Sequence, residues 1–350
     1  MKYNEEVTFY FPNFSKKYSK DNLNLDDYNF FSSWEDLTIR AWIIQTYLQL
    51  KKLNLNVNIS DKWPQSGTVV LLSNNPSLYE LKKNISKINK DIIIITIRAD
   101  EIQWRPLLSD IEIVQNGVFA NEKDTYFIPH WPQPGIIKRD NSRGHLIENI
   151  VFNGGKGSLC EEFYSDKWLS ELSDRKINFE INTEHTKTNW GDYSTADLLL
   201  AVRPSFKDKL NRSDKPASKL INSWFAEVPA LLGSEIAYLE LKESEFDFLE
   251  VNCIQDGLNA IDYLRSSETT YFQMVQNGIK RSKNFTSDKI SQRWKYLLFD
   301  KIPTYRDELN FKRSRIFEGN TRKFYYFFSK KQTVFEYKRK IANTYRNLLK

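Results

Sequence analysis

Three cations stand close together in the chain: Arg203, Lys215 and Lys219. Arg203 follows the apolar run Asp197-Leu-Leu-Leu-Ala-Val202, at the predicted carboxyl end of a strand. Open α/β sheets bind ligands at that end, and a guanidinium there can hold a diphosphate through paired hydrogen bonds. The alternative is a surface arginine capping a strand end. Lys215 and Lys219 fall at the start of a helix predicted over 216–228. There Pro216 suits a first helical position, and Leu220, Ile221, Trp224, Phe225 and Val228 recur at helical spacing. Two lysines at that end oppose the helix dipole, and a bound anion would offset this. Gly154-Gly155-Lys156-Gly157-Ser158 reads as a strand–turn–helix junction whose backbone N–H groups can approach a phosphate or a sugar. It matches neither GxxxxGK[ST] nor GxGxxG, and a plain βα turn is its bland reading. Glu235, after Gly233-Ser234, can accept ribose hydroxyls or serve as an acid at the next helix start. Glu245-Phe-Asp247 has acid-x-acid spacing, but it leads into a strand and makes a poor metal motif.

Strands and helices must alternate to position these groups. Strands are predicted at 7–11, 55–59, 68–73, 91–100, 111–117 and 125–131, and again at 149–153, 177–181, 197–202, 229–232 and 247–251. The β-branched run at 92–97 marks a strand buried on both faces. Helices are predicted at 34–53, 78–88, 158–172 and 216–228, and the stretch from 255 to about 300 reads as helical. Such alternation builds parallel sheets covered by helices. The segment 129–145, rich in proline, glycine and charge, breaks the pattern and reads as an interdomain connection.

At 350 residues the length suits two domains. Two distant cysteines, Cys160 and Cys253, argue against a disulfide framework or a zinc site, and three histidines are too few for a His-rich metal centre. The amino-terminal stretch lacks a long apolar signal core, and no run of about 18 apolar residues occurs. The expected location is cytoplasmic. The formal charge of +6 is uneven, because residues 311–350 hold twelve Lys and Arg against Glu318 and Glu336. Within it, 323–340 interleaves aromatic and basic residues. That pattern suits a membrane surface, single-stranded nucleic acid, or a helix packed back on the first domain with its basic face solvated, the default.

The ordered pieces 151–159, 190–204 and 215–235 resemble the donor-binding segment of GT-B glycosyltransferases over roughly residues 90–300. The resemblance implies two Rossmann-like parallel-sheet domains facing a cleft: an acceptor domain at 1–140, a nucleotide-sugar donor domain at 141–300, and a basic aromatic extension at 301–350. It implies transfer of a sugar from a nucleotide-diphosphate donor to a hydroxyl of a glycan or lipid-linked acceptor, as in polysaccharide biosynthesis. Arg203, Lys215 and Lys219, with Gly155 lining the cleft, would neutralise the leaving diphosphate in place of a metal ion, so no cofactor is expected. Asn222, Glu235 and Tyr193 would contact the nucleotide and sugar. Aligned on Val228-Pro229, however, Asn222 and Asp214 occupy the places where retaining members carry two glutamates. The anomeric outcome therefore stays open. Candidates for the general base are Asp100 and His130, with Glu101 a further option. A lipid-linked acceptor would suit peripheral contact with the inner face of a membrane through the basic tail. A nucleic-acid or polyanion-binding protein is the second reading. A dehydrogenase comes third, weakened by the missing GxGxxG.

Overall fold

The computed structural model describes residues 5–27, 30–31, 36–73, 92–99, 109–183, 189–204, 215–306 and 308. The predicted helix at 78–88, Asp100, Glu101, Asp214 and the stretch 311–350 lie outside the described residues.

Eleven strands among the described residues form two sheets. The first contains β1 (Val7–Tyr10), β2 (Val57–Ser60), β3 (Gly67–Leu72), β4 (Ile92–Arg98), β5 (Ile111–Val114) and β6 (Thr125–Phe127), ordered β2-β1-β3-β4-β5-β6. The second contains β7 (Asn149–Asn153), β8 (Asn178–Asn182), β9 (Leu198–Ala201), β10 (Ala230–Leu232) and β11 (Leu249–Glu250), ordered β11-β10-β9-β7-β8. Every pairing is parallel. The central strands β3 and β4 run in register from Gly67 opposite Ile92 to Leu72 opposite Ile97. Their side chains are buried on both faces: Val70, Ile93 and Ile95 join one core, Val69, Ile92 and Ile94 the other. This is why the 92–97 run carries no polar alternation.

Each sheet winds outward in both directions from its first strand. β1 lies between β2 and β3, and β7 lies between β8 and β9. The crevice at such a reversal, beyond the carboxyl ends of the strands, is the place where this topology leaves room for a ligand. In the second sheet it opens between the ends of β7 and β9, that is, between Gly154 and Val202-Arg203.

The chain changes units twice. Trp131 is buried in the first core, whereas Ile136 packs on the second and Ile137 bridges to Asp192. The return comes earlier than the expected boundary near 300. Phe285 belongs to the second core, but Ile290, Trp294, Leu297, Leu298 and Ile302 are buried in the first. Helix Ser287–Lys295, begun by the Thr286 hydroxyl accepting from Lys289 N, therefore closes the first unit rather than the second.

Helix Ser218–Ala226 carries the candidate lysine. Its apolar face of Leu220, Ile221 and Trp224 sinks into the second core. Helix Glu268–Ser282 crosses it at a glycine: a Cβ at Gly278 would sit 3.0 Å from Trp224 Cδ1 and 3.3 Å from Trp224 Cα. Trp224 donates Nε1–H to the Asp247 carbonyl at 3.2 Å. The helix ends at Glu227, whose φ of 63° is left-handed, and the Glu227 carboxylate pairs with Lys138.

Candidate anion site at the carboxyl edge of the second sheet

The helix expected from Pro216 begins at Ser218, after Ala217. Lys215 consequently precedes the helix rather than riding on it. Its carbonyl accepts from Asn116 Nδ2 at 3.0 Å, which ties this junction to the loop after β5 of the first unit. Lys219 lies in the first helical turn, which holds no acid and no side-chain cap. Its Nζ reaches the loop after β7. A Cβ at Gly154 would lie 3.0 Å from Lys219 Nζ, and the ammonium stands 5.7 Å from the centre of the Phe152 ring. Any side chain at 154 would therefore displace the lysine or Phe152.

Arg203 reaches the same loop from the far side of the crevice, with Nη1 3.5 Å from Ser158 Oγ. That loop is a short 3-10 turn at Lys156–Ser158 after Gly155, whose carbonyl accepts from Ser158 N at 2.8 Å. The long helix predicted from Ser158 starts only at Asp166, capped by the Ser165 hydroxyl. The intervening residues form a second 3-10 turn over Glu161–Tyr164. Separate elements thus bring Arg203, Lys219, Gly154, Gly155 and Ser158 to one crevice at the topological reversal.

Glu235 is paired with Arg203. Its Oε2 accepts from Arg203 Nε at 2.7 Å, and both side chains are 11% exposed. It does not cap the following turn, Ile236–Leu239, since its side chain makes no capping bond. Tyr238 is fully buried beside the pair. Burial first, and then the Glu235 charge, hold its phenol far above the ordinary tyrosine value, so it stays neutral.

Two other candidates are occupied by the fold. Asn222 exchanges hydrogen bonds with Gln133, accepting from its backbone N and donating to its Oε1, both at 3.2 Å. This fixes the helix to the connecting segment. Tyr193 is 2% exposed within the second core, and its N–H bonds the Ile137 carbonyl. His130 is half-buried, with Nδ1 2.7 Å from the Trp131 carbonyl and its ring edge-on to Trp42. Asp247 of the acid-x-acid motif is a structural anchor. It accepts from Glu243 N, Ser244 N and Asn277 Nδ2 and pairs with Arg281.

A feature with no sequence signal spans the two units. Glu240 accepts from Gly117 N at 3.1 Å and Val118 N at 2.9 Å. Burial pushes its carboxyl up to about 7, against the lowering effect of those two N–H groups. With the Asn116–Lys215 bond, this joins the carboxyl end of β5 to the approach to helix Ser218–Ala226 and to the segment following β10. The carboxyl edges of the two sheets meet there.

No family model matches this chain, and no curated protein matches it. Solved structures do. Sucrose-phosphate synthase from Thermosynechococcus elongatus matches with a TM-score of 0.54 at 10% identity, over 84% of this chain and 98% of that one. Anabaena HepE in complex with UDP and glucose matches with a TM-score of 0.50 at 9% identity, over 84% of this chain and 99% of that one. Against a chain of the GtfA/B complex the TM-score is 0.45 at 10% identity, and this chain spans 61% of its length. At these identities the likeness is one of fold: the chain has the two-unit, parallel-sheet Rossmann-like architecture of GT-B glycosyltransferases.

Proposed function

We propose that the chain is a nucleotide-sugar-dependent glycosyltransferase whose donor diphosphate binds between the 154–158 loop, Arg203 and Lys219. The observation that carries this reading is the approach of Arg203 and Lys219, from different elements, to one glycine-containing loop at the reversal of the second sheet. Two fixed cations and backbone N–H groups in a partly buried crevice stabilise a departing diphosphate electrostatically, commonly the largest catalytic contribution. In this reading they do the work that a metal ion does elsewhere. HepE of the same fold holds UDP and glucose, which favours a nucleoside diphosphate here. The acceptor hydroxyl enters from the first unit, with Asp100 or His130 as base, and the acceptor is a glycan or a lipid-linked glycan. No helix among the described residues is long and apolar enough to cross a membrane. Contact with a lipid-linked acceptor would therefore fall to a surface element such as the basic 311–350 segment.

Calorimetric titration with UDP, GDP and ADP, followed by hydrolysis assays with the corresponding sugar nucleotides, tests this reading. Binding of at least one diphosphate, lost on substitution of Arg203, is expected. Absence of binding by all three removes the proposed activity.

A further inference from the structure

We infer that Glu235 is a positioning residue for the anion clamp: it orients Arg203 and makes no contact with the ribose. This rests on the glycosyltransferase reading and deepens it.

An arginine that grips a diphosphate must present its fork in one orientation, because the bidentate geometry carries much of the strength and specificity. Arg203 sits at the end of β9 on a side chain with several rotatable bonds, and Glu235 removes that freedom. It takes Nε at 2.7 Å, leaving Nη1 directed toward Ser158 Oγ and the glycine loop. The holder is itself held. Glu235 follows β10, its N–H bonds the Gly233 carbonyl at 2.7 Å, and its own carbonyl accepts from Tyr238 N and Leu239 N. Tyr238 packs beside the pair at full burial, and its neutral phenol adds no competing charge. With Glu235 8% exposed and its carboxylate turned to Arg203, the direct diol role has no support in the geometry. Preorganised donors cost no reorganisation when the leaving group develops charge.

The test separates this role from a ribose contact and from the proposed function itself. Inorganic pyrophosphate, the best-bound of UDP, GDP and ADP, and the matching nucleoside are titrated into wild type, Glu235→Ala, Glu235→Gln, Arg203→Ala and the double variant. The nucleoside is followed by competition. Glu235→Ala is expected to weaken pyrophosphate and the diphosphate equally, by about tenfold, and to leave the nucleoside unchanged. Glu235→Gln, which keeps an acceptor for Nε, restores most of the loss. Glu235→Ala costs nothing further once Arg203 is alanine, and that double variant leaves no unpaired partner to unfold the site. An equal loss for the nucleoside, additive losses in the double variant, or unchanged anion affinity in Glu235→Ala each overturn the inference while leaving the glycosyltransferase reading in place. Wild-type protein that binds none of the probes overturns both.

Discussion

The two sheets share one winding pattern, and their described residues differ at the corresponding reversal. In the second unit the reversal between β7 and β9 is lined by Gly154, Ser158, Arg203 and Lys219. In the first unit the reversal lies between β1 and β3. There the chain leaving β1 runs into Phe11 and Phe14, 7% and 3% exposed, which pack edge-on at 6.4 Å. Topology supplies a crevice in both units; the side chains just past the strand ends decide what it accepts. An anion suits the second crevice, whereas the described residues just past β1 are packed aromatic rings. The first unit contributes instead at the neighbouring edge, where the loop after β5 meets Lys215 and Glu240.

Four substitutions sharpen or break this contrast, from the largest effect to the smallest. Phe14→Ala should cost about 3–5 kcal/mol of stability by opening a cavity in the first core. Diphosphate affinity should be unchanged wherever the protein is folded, as read by denaturant midpoint and calorimetry. A loss of affinity would mean that the first crevice also binds the donor. Arg203→Ala should weaken diphosphate binding by about 100-fold, or roughly 2–3 kcal/mol, and should also lower the melting temperature, because it takes the guanidinium from the buried Glu235 carboxylate. Glu240→Gln addresses the seam between the units. Because the folded-state value of Glu240 lies above its ordinary 4.5, at about 7, the native state takes up a proton that the unfolded chain releases. Its contribution to stability is therefore fullest below about pH 4.5 and is lost as pH rises through about 7. Urea midpoints measured across that window should fall less with pH in Glu240→Gln than in wild type, and identical slopes would contradict the burial argument. Lys219→Ala should weaken the diphosphate by about tenfold. It should also make room at Gly154, so that Gly154→Ala costs less in that background than alone. Equal costs in both backgrounds would show that Phe152, not the lysine, is the obstacle.

The fold was largely legible because burial writes it into the pattern. The Ile-rich run at 92–97 could be nothing but a doubly covered strand, and the ten other predicted strands fall within a few residues of the observed ones. Helix starts were harder. Pro216 is a good first helical residue, yet the helix begins at Ser218, and the Lys215 carbonyl just before it accepts from Asn116 of the other unit. The unit boundary failed as well. The 255–300 stretch is helical throughout in pattern, and only the destination of Ile290 and Trp294 reveals that its last helix belongs to the first core.

At the site, residue types at strand ends pointed to Arg203, Lys219 and the glycine loop, which the fold brings close together. The pairing of Arg203 with Glu235 was not visible, because a carboxylate after a strand reads alike whether it faces a ribose or a guanidinium. The Asn222 contact with Gln133 was equally invisible. Its position relative to Val228-Pro229 suggested a ligand contact, and nothing in that position announced the bonds its amide makes with Gln133. Glu240 left no trace at all, since its partners are backbone N–H groups that any sequence would supply.

The central claim is that a diphosphate is gripped at the reversal of the second sheet. A crystal structure of the full chain with the nucleoside diphosphate it binds best tests this most directly. The account predicts phosphate oxygens within hydrogen-bonding distance of Arg203, Lys219 and the 154–158 loop, with Glu235 still on Arg203 Nε. A diphosphate seated elsewhere, with Arg203 and Lys219 untouched, would contradict it.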